Sequence, residues 1–213
     1  MAVTRDERVV HKQSRSGPVM RAVLEAVADR LRHGDESLLR IPEVCAATGV
    51  NYGSVYHHFG SREGVIDAAY EMMFGQIIDD DIEMIHDAIE GSDNLEDFLT
   101  AAARIFTAVS TGDERRVSRS MRLRIVAASV TRPHLRSMIG ATQARLTDEL
   151  ALAVLTCQER GWVRRNLDPR AFAVYLQVVV FGRNLDDASD EPLAEDVWVR
   201  LVFDLFCRAT SDA

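Results

Sequence analysis

An all-α fold is what this sequence predicts, on three observations. Apolar residues recur at helical spacing along nearly the whole chain, no segment longer than a few residues alternates with period two, and glycine and proline interrupt the periodic runs at helix-length intervals. With 213 residues, 47% of them hydrophobic and 27% charged, the chain can bury a core, as one domain or as a small module joined to a larger one. The opening stretch MAVTRDERVVHKQSRSG lacks the apolar centre of a secretion signal, and the most apolar run, Ala171 to Phe181, is too short to span a bilayer. A cytoplasmic protein with no membrane partner is therefore expected. The cysteines Cys45, Cys157 and Cys207 are odd in number, far apart and set in apolar helical patterns, which favours reduced, buried thiols over a disulfide framework or a metal site. No cofactor is expected.

About nine helices follow in order. Residues 1–17 carry Arg5, Arg8, His11, Lys12 and Arg15 without apolar periodicity and read as a flexible basic arm, which would be drawn to phosphate. Gly17-Pro18 opens a helix to about Leu31, with Val19, Val23, Ala26 and Val27 on one side. Pro42 opens a short helix to Thr48, and Gly49 stands where a residue with positive φ would end it before another begins at Asn51. Ser61 can cap a long helix to about Glu90, and Asn94 or Ser92 a fifth to about Val109. Further helices are expected near 113–130, 134–160, 169–185 and 193–209. The net charge of −8 is unevenly spread: residues 1–62 hold nine Lys and Arg against seven Asp and Glu, whereas all the excess acid lies beyond them.

The stretch GVNYGSVYHHFGSREGV, Gly49 to Val65, concentrates chemistry. On a helix from Asn51 to Phe59, Val55 and Phe59 share one face with a core of Val44, Ala47 and Val50, where the small Ala47 would let two helices cross closely. Gly53, Ser54 and His57 lie opposite, flanked by Tyr56 and His58. Small outward residues can approach base edges in a groove while ring hydroxyls and histidines reach phosphates. Arg62, in the first turn of the next helix, would add its charge to amide donors that already favour an anion.

The segment IPEVCAATGVNYGSVYHHFGSREGVI resembles the helix-turn-helix of TetR-family transcriptional regulators. The likeness rests on the turn Gly49-Val50, on Tyr56-His57-His58-Phe59 closing the recognition helix, and on Ser61-Arg62-Glu63 opening helix four. It implies a helix-turn-helix DNA-binding domain at 18–62 and a helical effector-binding and dimerisation domain at 63–213. It also implies base contacts from Tyr52, Gly53 and Ser54 and backbone contacts from Tyr56, His58 and Arg62, with Asn51 and His57 in the same interface. Arg62 stands where the family usually has Lys, and Ile41-Pro42 where a polar residue often caps helix two. ERGWVRRNLDPRAFA, at 159–173, is similar to the family's link between the last pocket helices and the dimer helices. The expected protein is a homodimeric repressor released from a palindromic operator, a stretch of double-stranded DNA, by an apolar or amphipathic small molecule.

Other constellations were weighed. Met72, Phe98, Phe106, Met121, Met138 and Trp162 are candidates for an effector pocket, although such residues at helical spacing are also ordinary core. The last two helices are apolar over most of their circumference, with Phe172, Tyr175, Leu176, Val179 and Val180 on one and Val197, Trp198, Leu201, Val202, Leu205 and Phe206 on the other. That surplus suggests pairing with a second copy as a four-helix bundle. DDDIE at 79–83 and DDASD at 186–190 share the acidic spacing that holds Mg²⁺ in all-helical isoprenoid enzymes, against which stands the presence of a single lysine, Lys12. The face Asp79, Glu83, His86, Asp87 has the spacing of metal ligands, yet it backs an ordinary amphipathic helix. Arg115, Arg116, Arg119, Arg122 and Arg124 form either an anion site or partners for that acidic face. An architectural DNA binder without effector is the other open class: a collapsed C-terminal core would favour it, and a closed cavity of a few hundred Å³ would favour a sensor. No nucleophile elbow or phosphate-binding loop is present, and no enzyme activity is expected.

Overall fold

A computed structural model describes the backbone of residues 5–210 and the side chains from Gly17 to Thr210. Among the described residues there are nine α-helices, one short 3-10 turn and no strand: α1 (Arg5–His33), the turn Glu36–Leu38, α2 (Ile41–Thr48), α3 (Tyr52–Phe59), α4 (Arg62–Glu90), α5 (Leu95–Ser110), α6 (Asp113–Ser129), α7 (Pro133–Glu159), α8 (Pro169–Asp187) and α9 (Glu195–Thr210). The caps explain most of these bounds. Asn51, Asn94 and Asp168 each accept a hydrogen bond from a backbone amide of the turn they open, and Ser61 Oγ accepts one from Gly64 at 3.0 Å. Ser92, the alternative cap for α5, instead donates to the Ala88 carbonyl at the end of α4.

The start of α1 differs from expectation. Its helix begins at Arg5 and carries Pro18 inside it, so the backbone of residues 5–17, expected as a flexible arm, is helical. Arg5, Glu7, Arg8, Lys12, Gln13 and Arg15 are good helix formers, and their propensity prevails over the boundary that Gly17-Pro18 suggested. The side chains of Arg5, Arg8, His11, Lys12 and Arg15 lie outside the described residues.

The chain divides into two compact units, Met1–Met73 and Phe74–Ala213. The division falls inside α4 and not at 62/63, because Val65, Ile66, Ala69 and Tyr70 are buried while Arg62 and Tyr70 bond back to the 3-10 turn. The first unit packs α2 on α1 and α3 on α2 around Val23, Val27, Leu31, Ile41, Val44 and Val55, all essentially inaccessible. Ala47 is exposed and lies outside this core. The eight-residue α2 turns Ile41, Val44 and Cys45 inward, and that spacing rotates Ala47 out.

The second unit packs α7 on α8, α5 on α9, and α6 against α7 and α8. Its centre is a group of phenylalanines from three helices: Phe206 of α9 lies 5.2 Å from Phe106, 6.1 Å from Phe98 and 6.0 Å from Phe172, ring centre to ring centre. Burial of each such side chain stabilises the fold by about 1.5–3 kcal/mol. Through this apolar unit runs a buried charge. Arg119 on α6 donates from Nε and Nη2 to Asp187 Oδ2 on α8 at 2.9 and 2.7 Å, and from Nη1 to the Val109 carbonyl at 3.0 Å. Only 6% of the Arg119 side chain and 11% of the Asp187 side chain meet solvent. Removing one partner strands the other, so Asp187→Ala should cost about 3–5 kcal/mol of unfolding free energy. Asp190→Ala, exposed three residues further on, should change it by less than about 0.5 kcal/mol. Urea unfolding followed by circular dichroism measures both, and equal losses would contradict the assignment.

Candidate functional site

Three glycines and one cap set up α3. Gly49 ends α2 at φ 69°, in the left-handed region, which turns the chain sharply into α3. Asn51 Oδ1 then accepts from the Gly53 amide at 2.8 Å. Gly60 leaves the helix at φ 78°, and the Phe59 carbonyl lies where a Cβ on Gly64 would be only 2.0 Å away, so no larger residue fits there without backbone movement. Val55 is fully buried. The other side of α3 is open: Asn51, Tyr52, Gly53, Ser54, His57 and His58 are exposed and Tyr56 is half-buried.

Those seven residues therefore share the outward side of one short helix. Tyr52 and Tyr56 stand with ring centres 4.5 Å apart, and His58 meets Phe59 edge-on at 4.6 Å. Hydrogen bonding with Tyr52, ahead of burial, pushes the Tyr56 phenol up from its ordinary range, so at neutral pH it remains a protonated donor. The aromatic surface is mounted on the flank of a helix whose outermost positions are small. Such a geometry can present donors to a nucleic-acid backbone while leaving room for base edges.

Arg62 departs from its expected role. Its guanidinium turns inward, donating from Nε to the Leu39 carbonyl at 3.2 Å and from Nη2 to the Glu36 carbonyl, with Glu63 3.9 Å from Nη1. The Tyr70 hydroxyl adds a bond to the Glu36 carboxylate at 3.1 Å. The connection between α1 and α2 is thus tied to α4 by Arg62, whose carbonyl targets lie more than twenty residues earlier and are invisible in residues 61–65 alone. It is a positioning residue here, with two of its donors spent inside the unit.

In the second unit a cavity of about 140 Å³ opens among residues of α4 to α9. Its wall is mostly apolar, including Ile85 and Ile89 of α4, Phe98 and Phe106 of α5, Leu146 and Val154 of α7, and Leu176 of α8, with Asp81, Arg122 and Gln177 the charged and amide groups. Burial pushes the Asp81 carboxyl up against the pull of Arg122 and Arg115, and pushes the Arg122 guanidinium down. Burial also raises the Cys157 thiol to about 11, which leaves a lining cysteine inert as a nucleophile.

Of the six expected pocket residues, Phe98 and Phe106 line this cavity. Met72 belongs to the first unit, and Met121, Met138 and Trp162 are not in the wall; Trp162 stacks on Phe98 at 5.4 Å. The expected dimer residues divide similarly. Phe172, Val202 and Phe206 are buried in the unit's own core, and Phe172, Leu176 and Phe206 face the cavity. Val179 and Trp198 pack half-buried against that core. Tyr175, Leu201 and Leu205 are exposed, as is Val197 on α9, and they are joined by Val174, Val178 and Leu185 on α8, which the apolar pattern does not single out.

The acidic runs are taken up by arginines. Asp81 pairs with Arg122 at 3.2 Å and Arg115 at 3.6 Å, Asp79 with Arg145 at 2.6 Å, Asp187 with Arg119, and Asp186 with Arg183. His86 bonds Glu149 at 3.0 Å. Among the described residues no three or more His, Cys, Asp and Glu come together as a metal site, and no helix is long and apolar enough to cross a membrane. Arg122 alone of the five α6 arginines faces the cavity.

Residues 37–69 match the family model of bacterial regulatory proteins, tetR family. That segment is similar to the helix-turn-helix part of the tetR family. The TetR match spans the end of the 3-10 turn, α2, α3 and the first turns of α4, the stretch whose outward face is described above. No curated protein matches the chain. Solved structures share its fold over most of its length. A protein of a Rhodococcus species assigned to the TetR-family regulators is 23% identical, with a TM-score of 0.68 over 91% of this chain and 98% of the other. A transcriptional regulator assigned in Saccharomonospora viridis, in complex with choline, is 17% identical with a TM-score of 0.71 over 91% and 98%. AibR in complex with isovaleryl coenzyme A and operator DNA is 18% identical with a TM-score of 0.57 over 88% and 97%. At these identities the likeness is one of fold.

If Arg62 holds the α1–α2 connection, Arg62→Ala should lower stability by about 1–3 kcal/mol, and Arg62→Lys should recover little of it, because an ammonium cannot serve both carbonyls in the guanidinium's fork geometry. Thermal and urea unfolding of the two variants by circular dichroism tests this; an Arg62→Ala protein as stable as the parent would return the residue to a purely DNA-facing role.

Proposed function

We propose that the protein is a homodimeric, ligand-released repressor whose α3 reads an operator half-site in the major groove. The observation that carries this is the division of α3 itself: Val55 inaccessible on one side, and Tyr52, Gly53, Ser54 and His57 exposed on the other. Tyr52, Gly53 and Ser54 make the base contacts, while Tyr56 and His58 with Asn51 hold the phosphates. The same layout on a TetR match supports it, as does the operator DNA bound by the AibR fold relative.

Two features of the second unit support the rest. The exposed apolar row Val174, Tyr175, Val178 and Leu185 on α8, with Val197, Leu201 and Leu205 on α9, is more apolar surface than one copy needs, and pairing it with a second copy gives two reading heads for a palindrome. The cavity gives an effector a place, although at about 140 Å³ it is smaller than the few hundred Å³ expected of a sensor and is suited only to a small molecule. Ligands in fold relatives, choline in one and isovaleryl coenzyme A in another, agree with a ligand-binding role and leave the ligand of this chain to its own residues. Effector binding would favour a spacing of the two heads that no longer fits successive major grooves.

Selection of bound DNA from a random pool should return a palindrome, and Ser54→Ala or Tyr52→Phe should change the preferred base at one position per half-site by about 1–3 kcal/mol. An unchanged consensus in both variants would remove α3 from the groove.

Dimerisation is tested at the surface, because Val202 and Phe206 are core residues and truncating α9 would unfold the unit. Val178→Asp with Leu201→Asp should leave a folded monomer by sedimentation and lower operator affinity at least about 100-fold through loss of the second head's effective concentration. A dimer with full affinity would refute the interface.

A further inference from the structure

The polar groups of the cavity form one connected chain across four helices. Asp81 on α4 accepts from Arg122 Nη1 on α6 at 3.2 Å. Arg122 Nη2 donates to Gln143 Oε1 on α7 at 3.0 Å, Gln143 donates to Gln177 on α8, and Gln177 donates to Thr147 Oγ1 at 3.1 Å and to the Ala173 carbonyl at 3.0 Å. Both amides are therefore consumed. The guanidinium is not: it has five N–H donors, and two are engaged here, with its face over the Phe74 ring at 5.8 Å. Only 11% of its side chain is exposed.

Charge at this end of the cavity does not balance. Asp81 is faced by two cations, Arg122 and Arg115, and the next carboxylate, Asp80, is exposed. A positive surplus in a poorly solvated site disfavours a bound cation and favours an anion, which would also take up the spare guanidinium donors. The remaining wall is apolar and offers a headless ligand no loss and a polar body no partners. Size sets a further limit. An apolar cavity of about 150 Å³ accommodates benzene, and this one is about 140 Å³.

We propose that the effector is a small monocarboxylate of about six to ten non-hydrogen atoms in all, an aromatic acid or a short fatty acid, whose carboxylate binds Arg122 in competition with Asp81. The inference rests on the reading of the protein as ligand-responsive. The ligand's carboxylate takes the role that Asp81 plays in its absence, and its ring or chain lies against Phe98, Phe106 and Phe172. Because Asp81 sits on α4, exchange of one carboxylate for another frees that helix from α6.

The test is calorimetric titration of the full-length protein with benzoate and hexanoate, with the neutral benzamide and hexanamide, and with benzylammonium and hexylammonium. The carboxylates should bind at least about tenfold tighter than their amides, and the ammonium ions should not bind. Arg122→Gln, folded by circular dichroism, should reduce the preference for carboxylate over amide to within about twofold. Asp81→Asn, which removes the competitor and keeps the guanidinium, should raise carboxylate affinity. Amides binding as well as carboxylates, ammonium ions binding better, a weaker carboxylate affinity in Asp81→Asn, or no binding of any probe would each overturn the proposal. Fluorescence anisotropy on the selected operator separates the two readings. Carboxylates that bind without releasing DNA uphold the anion site and defeat the ligand-responsive reading, whereas release by amides or ammonium ions alone does the reverse.

Discussion

An eight-residue helix cannot hold its shape in water on its own, since isolated helices shorter than about 12–15 residues are marginal, and the first unit's chemistry depends on how α3 is held from outside itself. The holding is done at the ends and from beneath. Gly49 and Gly60 supply the left-handed turns, Asn51 caps the first amides, Val55 plugs into the core, and the close approach of the Phe59 carbonyl to Gly64 locks the exit into α4. Apart from Asn51, none of these uses the outward side chains. Ser54 and His57 are therefore free of structural duty, and substitutions there should leave α3 in place. Arg62 belongs with the holding set: its bonds to Glu36 and Leu39 fix the connection that leads into α2.

The second unit solves a different problem, placing charged side chains of α6 in an otherwise apolar bundle. Buried ion pairs seldom stabilise a fold relative to well-packed apolar residues, but they penalise every arrangement that leaves a charge unmatched. Arg119 finds Asp187 on α8 and Arg122 finds Asp81 on α4, so sliding α6 along either neighbour would strand a guanidinium. This accounts for both acidic runs without a metal.

The elements were legible because their ends are chemical: Pro42, Gly49, Asn51, Ser61 and Asn94 each mark a boundary to within a residue or two. The outward face of α3 was legible because a 3.6-residue period sorts the buried Val55 from the exposed Ser54 and His57. What was not legible depended on partners distant in sequence. Nothing near Arg62 announces that carbonyls more than twenty residues earlier will return to it. On helices apolar nearly all round, periodicity cannot say which stripe faces the chain's own core, so Phe172 and Phe206 were read as interface and Val178 and Leu185 were missed. Met121 and Met138 looked like a pocket because flexible apolar side chains suit one, but a cavity forms where packing falls short, and no local pattern records that.

The small cavity is consistent with a switch when the free energies are compared. A ligand shifts a two-state equilibrium only by the difference between its affinities for the two states. Moving a population from about 1:99 to 99:1 takes a ratio of about 10⁴, or about 5.5 kcal/mol. In a dimer with one cavity per copy, two ligands share that requirement, and each must discriminate only about 100-fold. Apolar contact alone is a poor source of such discrimination, because a ring packs nearly as well against slightly displaced phenylalanines. A guanidinium that can be satisfied by Asp81 in one state and by a ligand carboxylate in the other is a better source, since charge-assisted bonds are short and directional and are lost over small displacements. The polar chain from Asp81 to Thr147 ties that choice to four helices at once, so the pairing at Arg122 bears on how α4 packs against α6, α7 and α8.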